Sequence, residues 1–206
     1  LGWDPSKVRD AIGDLLTAGV LLKRTVFYEV NPPIFAQFLA SEVVAGDAPR
    51  LYHLVATLET AARIRLFRRL AELPTETLGQ FWRELLGPEG PYKDHSSLAG
   101  AAHLLPILAE AAPVETLAAL ERVLKPISLE ERKGVADRNR RSVVRALDSL
   151  LLRAATAAGA ARLLLLLAEA ENETWANNAT GLFKEFFIPF HPQVAARLDE
   201  RAAVLV

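Results

Sequence analysis

The 206-residue chain contains no cysteine and no methionine. Without thiols it has neither disulfides nor thiolate metal sites, and a reducing compartment, the cytoplasm, is the expected location. An excess of one charge is missing too. With 24 basic and 25 acidic side chains the formal net charge is -1, so no global field draws the chain to nucleic acid or anionic lipid, and such binding would have to be local. The longest apolar run, residues 160–170, is interrupted by Arg162 and Glu169. It falls well short of the roughly 20 residues of a membrane helix, and no tripartite leader opens the chain, so no membrane partner is expected. A chain that starts at Leu1 and has no methionine reads as a piece of something longer.

Catalytic signatures are missing as well. None of the eleven glycines belongs to a GxxxxGK[ST] pattern, so there is no P-loop to cradle a nucleotide. His53, His95, His103 and His191 are scattered with no second ligand at helical spacing, and neither a metal nor a cofactor is implied. No Gly-x-Ser-x-Gly elbow occurs, and His95-Ser96-Ser97 has the composition of a loop. The chain is therefore expected not to be an enzyme. An unrecognised site in the loop 87–97 is the enzymatic alternative. Asn172-Glu173-Thr174 and Asn178-Ala179-Thr180 match the glycosylation pattern, which has no meaning without a secretory route.

What is present is helix-forming. Hydrophobic residues make up 51% and charged residues 24%, a balance that favours a packed, mostly helical protein. Residues 1–46 stand apart. Asp4 is placed to cap a helix that has Pro5 at its first position, Val8, Ile12, Leu15 and Leu16 share one face, and Ala18-Gly19 ends it. Two β-prone runs follow, 20–24 and 26–30, with Thr25 alone between them, so the turn must borrow residues from both. Asn31-Pro32-Pro33 then reads as the start of another helix. Helix, glycine stop, two strands and helix is the back half of a winged helix. DPSKVRDAIGDLLTAGVLLKR resembles its third helix and first wing strand, with Leu1, Gly2 and Trp3 as the stump of the leading helices.

From residue 50 to 206 the spacing is helical throughout, with later helices expected at 98–112, 114–125, 129–137, 139–156, 157–171 and 173–188. One short pattern occurs three times: LAELPTETL at 70–78, LAEAAPVETL at 108–117 and LAEAENETW at 167–175. Leu70, Leu108 and Leu167 are read as opening equivalent turns, each followed by Glu-Thr at a new helix start. Recurrence at intervals of 38 and 59 residues suggests helical hairpins that must stack to bury their apolar faces. The expected fold is mostly α: a partial winged helix followed by an irregular α-solenoid of helical hairpins, with a closed helical bundle as the alternative.

Two polar segments are the candidate partner-binding surface. One is the loop 87–97 with Tyr92, Lys93 and His95; the other is NETWANNATG, with Trp175, Asn177 and Asn178 at a start poor in helix propensity. The basic stretch 131–145 carries Arg132, Lys133, Arg138, Arg140, Arg141 and Arg145. It reads as a solvated helix face, with an anion or acidic-partner contact as the sharper alternative. For nucleic acid the candidates are Lys7, Arg9, Lys23 and Arg24, but Asp4, Asp10 and Asp14 make the first helix net negative, which phosphate disfavours.

The element order, a wing ending in YEVNPPIFAQFLA and then repeats carrying the LAEA-type joint and WANNATGLFKEFFIPFHPQ, resembles the C-terminal part of bacterial STAND-type signalling NTPases. The resemblance implies that nucleotide handling lies outside this chain and that the repeats bind a trigger or hold the parent inactive. No catalytic residue is carried over. The function expected is a non-enzymatic sensor or scaffold segment whose partner is a protein, another ligand or the rest of its parent chain. A winged-helix transcription regulator with a helical ligand-binding or dimerisation domain is the alternative.

Overall fold

The computed structural model describes residues 4–31, 36–38, 40–42, 48–73, 75–135, 139–189 and 195–205. Among these residues the chain is mostly helical with one small two-stranded sheet. It separates into two compact units, Leu1–Ala48 and Pro49–Val206. No described helix is long and apolar enough to cross a membrane.

In the first unit, α1 (Pro5–Thr17) begins where the Asp4 carboxylate accepts the Ser6 N–H at 2.9 Å. It ends at Gly19, whose φ of 71° a side chain would resist; there the N–H groups of Gly19 and Val20 return to the carbonyls of Leu16 and Leu15. Strands β1 (Leu21–Arg24) and β2 (Phe27–Val30) pair antiparallel, Leu21 facing Val30 and Arg24 facing Phe27. The turn is Thr25-Val26, so it borrows from the second run alone, and Thr25 takes a left-handed φ of 55°. No residue of α1 is fully buried; Val8, Ile12 and Leu16 are half-buried along the face expected from sequence, while Leu15, Val26, Phe27 and Tyr28 are exposed. Residues 36–38 and 40–42 are helical. The proposed proline start at Pro32-Pro33, and Leu1, Gly2 and Trp3, lie outside the described residues.

The second unit runs through α2 (Ala48–Thr57), α3 (Thr60–Ala71), α4 (Thr75–Leu86), α5 (His95–Gly100), a 3-10 turn (Ala102–Leu104), α6 (Leu105–Ala111) and α7 (Pro113–Leu124), then α8 (Leu129–Lys133), α9 (Arg140–Leu151), α10 (Ala154–Glu169), α11 (Ala179–Phe186) and α12 (Leu198–Ala202). The helix expected over 98–112 is divided, because Pro106 at the second position of α6 begins a new helix instead of extending the old one. Packing is serial. Helix α3 lies against α6 and α6 against α9, while α4 lies against α7 and α7 against α10. Phe67 of α3 meets Trp82 of α4 at 5.9 Å between ring centroids.

The repeating register is not the one the Leu-Ala-Glu pattern suggests. Leu70, Leu108 and Leu167 are all buried, but the first two precede the turns α3–α4 and α6–α7, whereas Leu167 ends α10 and leads into a long irregular segment before α11. Glu173-Thr174 starts no helix. The position that recurs is a threonine in the first turn of the second helix of each pair: Thr77 in α4, Thr116 in α7 and Thr156 in α10, 39 and 40 residues apart. Four and eight residues beyond each, Phe81 and Leu85, Leu120 and Leu124, and Ala160 and Leu164 are buried, as successive turns of one helix face require.

The two threonines whose side chains are described differ in one respect. The Thr156 hydroxyl donates to the Leu150 carbonyl at 2.7 Å, whereas the equally buried Thr116 hydroxyl has no partner among the described residues. Replacing each with isosteric valine therefore has opposite consequences. Thr156→Val is expected to cost about 1–2 kcal/mol, and Thr116→Val to be neutral or to stabilise by up to about 1 kcal/mol. Urea midpoints measure both, and shifts in the same direction would contradict this reading of the two sites.

Candidate functional site

Residues 171–178, between α10 and α11, form neither helix nor strand, and side chains hold the segment in shape. Arg140, at the start of α9 and 2% exposed, reaches back into the interior. Its guanidinium donates to the carbonyls of Leu167 at 2.8 Å and Ala170 at 3.3 Å at the end of α10, and to Arg132 at 2.7 Å at the end of α8. A cation suits those helix C-termini. The Glu171 carboxylate lies 3.8 Å from Arg140. It accepts the Thr180 N–H at 3.1 Å, in the first turn of α11, and the Glu173 N–H at 3.2 Å.

Two further ties complete the segment. The indole N–H of Trp175 donates to the Glu173 carboxylate. Asn178 caps α11: its amide oxygen accepts the Gly181 N–H at 2.9 Å while its amide nitrogen donates to the Glu173 carbonyl at 2.8 Å. Gly181 is required here, since a Cβ on it would sit 2.1 Å from the Ala176 carbonyl oxygen.

This framework presents Trp175 to α9. Arg141 stacks over the indole at 5.1 Å from the ring centroid. Beside them opens a cleft of about 190 Å³ lined by Arg141, Val144, Arg145, Asp148, Trp175 and Asn177, with Leu182 behind. Arg141, Arg145 and Asp148 share one exposed stripe of α9. Among the described residues neither Arg141 nor Arg145 has an ion pair, and the Asn177 side chain has no hydrogen-bond partner, whereas Asp148 has a partner of its own. The other described members of the basic stretch are paired. Arg132 pairs with Glu169 at 3.2 Å and Lys133 with Glu130 at 2.7 Å, and Arg138 lies outside the described residues. The expected solvated face thus describes Arg141 and Arg145 but not Arg140, which is buried because α8 and α10 both end on it.

The candidates from the sequence separate into two places. Trp175 and Asn177 line the cleft with Arg141 and Arg145. Asn178 does not, because both ends of its amide are spent on the cap. Tyr92 is a correction: its ring is 6% exposed and belongs to the core. Burial pushes its phenol pKa up, partly offset by the neighbouring Arg63 guanidinium. The loop is drawn inward by Arg122 of α7, whose guanidinium donates to the carbonyls of Leu86 at 2.8 Å, Gly87 at 3.3 Å and Tyr92 at 3.4 Å. Lys93 is exposed. His95 is helical, not a loop residue: Asp94 caps α5 in a reciprocal box with Ser97. His95 borders a small void of about 10 Å³ with Leu98, Leu120 and Val143, away from the Trp175 cleft.

In the first unit Lys7, Arg9 and Lys23 are exposed, and Arg24 is paired with Glu29 across the hairpin at 2.7 Å. That pair halves the cation count of the wing. Among the described residues no three His, Asp or Glu side chains are grouped to hold a metal ion. Comparison with protein-family models, with curated proteins and with solved structures finds no match to the chain.

Proposed function

We propose that the second unit is an α-solenoid of helical hairpins serving as a non-enzymatic sensor or scaffold segment of a larger signalling NTPase, and that it binds a protein or other ligand through its repeat surface. The observation that carries this reading is the serial packing, first helix on first helix and second on second, with a buried-face register renewed at each recurring threonine. Stacks of this kind present continuous surfaces built from successive repeats, and such surfaces serve binding. The first unit supports the same reading as a partial winged helix. Its α1 and hairpin expose Leu15, Leu22, Val26, Phe27 and Tyr28, apolar side chains that a partner surface would cover, and the rest of the parent chain is the covering surface proposed.

The coding sequence ahead of Leu1 tests the reading. An in-frame segment specifying a strand, a GxxxxGK[ST] loop and a helix is the expected result. An initiation codon directly before Leu1, or an unrelated domain in its place, would overturn it.

A further inference from the structure

We propose that the cleft between α9 and the 171–178 segment is an acidic-peptide site that grips one aspartate or glutamate side chain of a partner protein. This deepens the reading above by giving the partner's chemistry. The cleft's geometry does not depend on a parent NTPase.

Three features of the cleft select a carboxylate. Arg141 and Arg145 stand one helical turn apart on the rim, both exposed and both without an ion pair among the described residues, so two planar donor forks are open to one acceptor. Arg141 lies over an indole whose own N–H is tied to Glu173, so its guanidinium is held near the cleft before anything binds and less rotamer freedom is lost on binding. Asn177 adds an amide free to bond a peptide backbone, in contrast to the fully engaged Asn178.

The same cleft disfavours other anions. A volume of about 190 Å³ admits an acidic side chain and its neighbouring backbone, not a base, sugar and phosphate together. A nucleic-acid backbone needs a row of cations, and Arg132, Lys133 and Arg140 are already held by Glu169, Glu130 and Glu171.

The test is fluorescence anisotropy of the whole chain with a fluorescein-labelled peptide of alternating glycine and glutamate, at low and moderate salt. Arg141→Gln and Arg145→Gln are each expected to weaken binding about tenfold or more, since each removes a charge-assisted fork. Trp175→Phe keeps a ring under Arg141 but frees it from Glu173, and should weaken binding several-fold with no change of charge. Arg9→Gln, an equal charge change in the first unit, should leave binding unaltered. Both α9 arginines are exposed, so their variants should melt as the parent does. Equal weakening by Arg9→Gln, or no weakening by either α9 variant, would overturn the site. Inorganic phosphate or acetate that displaces the peptide at equal concentration would overturn the peptide in favour of a small anion. A missing upstream P-loop with the expected peptide result removes the NTPase parent and leaves this site standing.

Discussion

Arg140→Ala is expected to lower the stability of the second unit by about 3–5 kcal/mol, seen as a large fall in urea midpoint. The reason is what the substitution strands. Arg140 is 2% exposed, and its loss takes a donor from the carbonyls of Arg132 and Leu167, which keep the N–H groups of Val135 and Ala170, leaves the Ala170 carbonyl without the guanidinium, and strips the Glu171 carboxylate of its counter-charge. A buried acceptor that loses its donor costs about 1–3 kcal/mol, and an uncompensated carboxylate costs more. Lysine should recover only part of the loss, because one ammonium cannot reach the acceptors that the two guanidinium nitrogens Nη1 and Nη2 serve at once. Adding Glu171→Gln to Arg140→Met should restore part of the stability by removing the stranded charge along with its partner. The same variants bear on the cleft, since Glu171 also holds the N–H groups of Glu173 and Thr180. If Arg140→Ala melts within about 1 kcal/mol of the parent, the corner is not organised around that side chain.

Arg140 is not legible in the sequence as a buried residue. Helical periodicity counts an arginine among a run of arginines as polar surface. The acceptors that bury this one belong to α8 and to α10, the latter 27 and 30 residues further on, and no local pattern reports them. Tyr92 was hidden in the same way: two glycines and two prolines make 87–97 look like a free loop, yet Arg122 from α7, about thirty residues later, fastens its carbonyls. Features set by neighbouring residues were legible. The Asp4 cap, the Pro5 start, the Gly19 stop and the helical spacing beyond residue 50 depend on contacts within a turn or two and correspond to α1, β1 and the helices observed. Trp175 and Asn177 stand out in the sequence as a departure from helix propensity, but Arg141 and Arg145, which line the same cleft, belong to α9, some thirty residues earlier.

The recurring pattern misled for a related reason. Leu-Ala-Glu-Ala is what the end of an apolar helix looks like, and α6 and α10 both end that way although one is the first helix of its pair and the other the second. The register that packing obeys is carried by Thr77, Thr116 and Thr156, of which only the first two follow a glutamate. Identical words share composition, whereas the buried positions four and eight residues beyond each threonine mark the face that packs.

That register makes a large prediction that separates a stack from a closed bundle. Leu108 is fully buried in α6, the helix that lies against both α3 and α9; Phe67 is fully buried in α3, which lies against α6. Leu108→Ala and Phe67→Ala each open a cavity expected to cost about 3–5 kcal/mol, but the cost should be distributed differently. In a series of stacked hairpins, stability is a sum of local terms and nearest-neighbour interfaces. Leu108→Ala should then lower the hydrogen-exchange protection of amides in α3 and α4 and in α9 and α10 alike, because it weakens the layer between them. Phe67→Ala should lower protection in α3 and α4 while α9 and α10 keep most of theirs. In a closed bundle every helix shares one core and opens as one unit, so both substitutions would lower protection throughout by similar amounts. Uniform loss with Phe67→Ala would end the case for a solenoid, whereas loss confined to the first hairpin would require that the hairpins lean on one another in order.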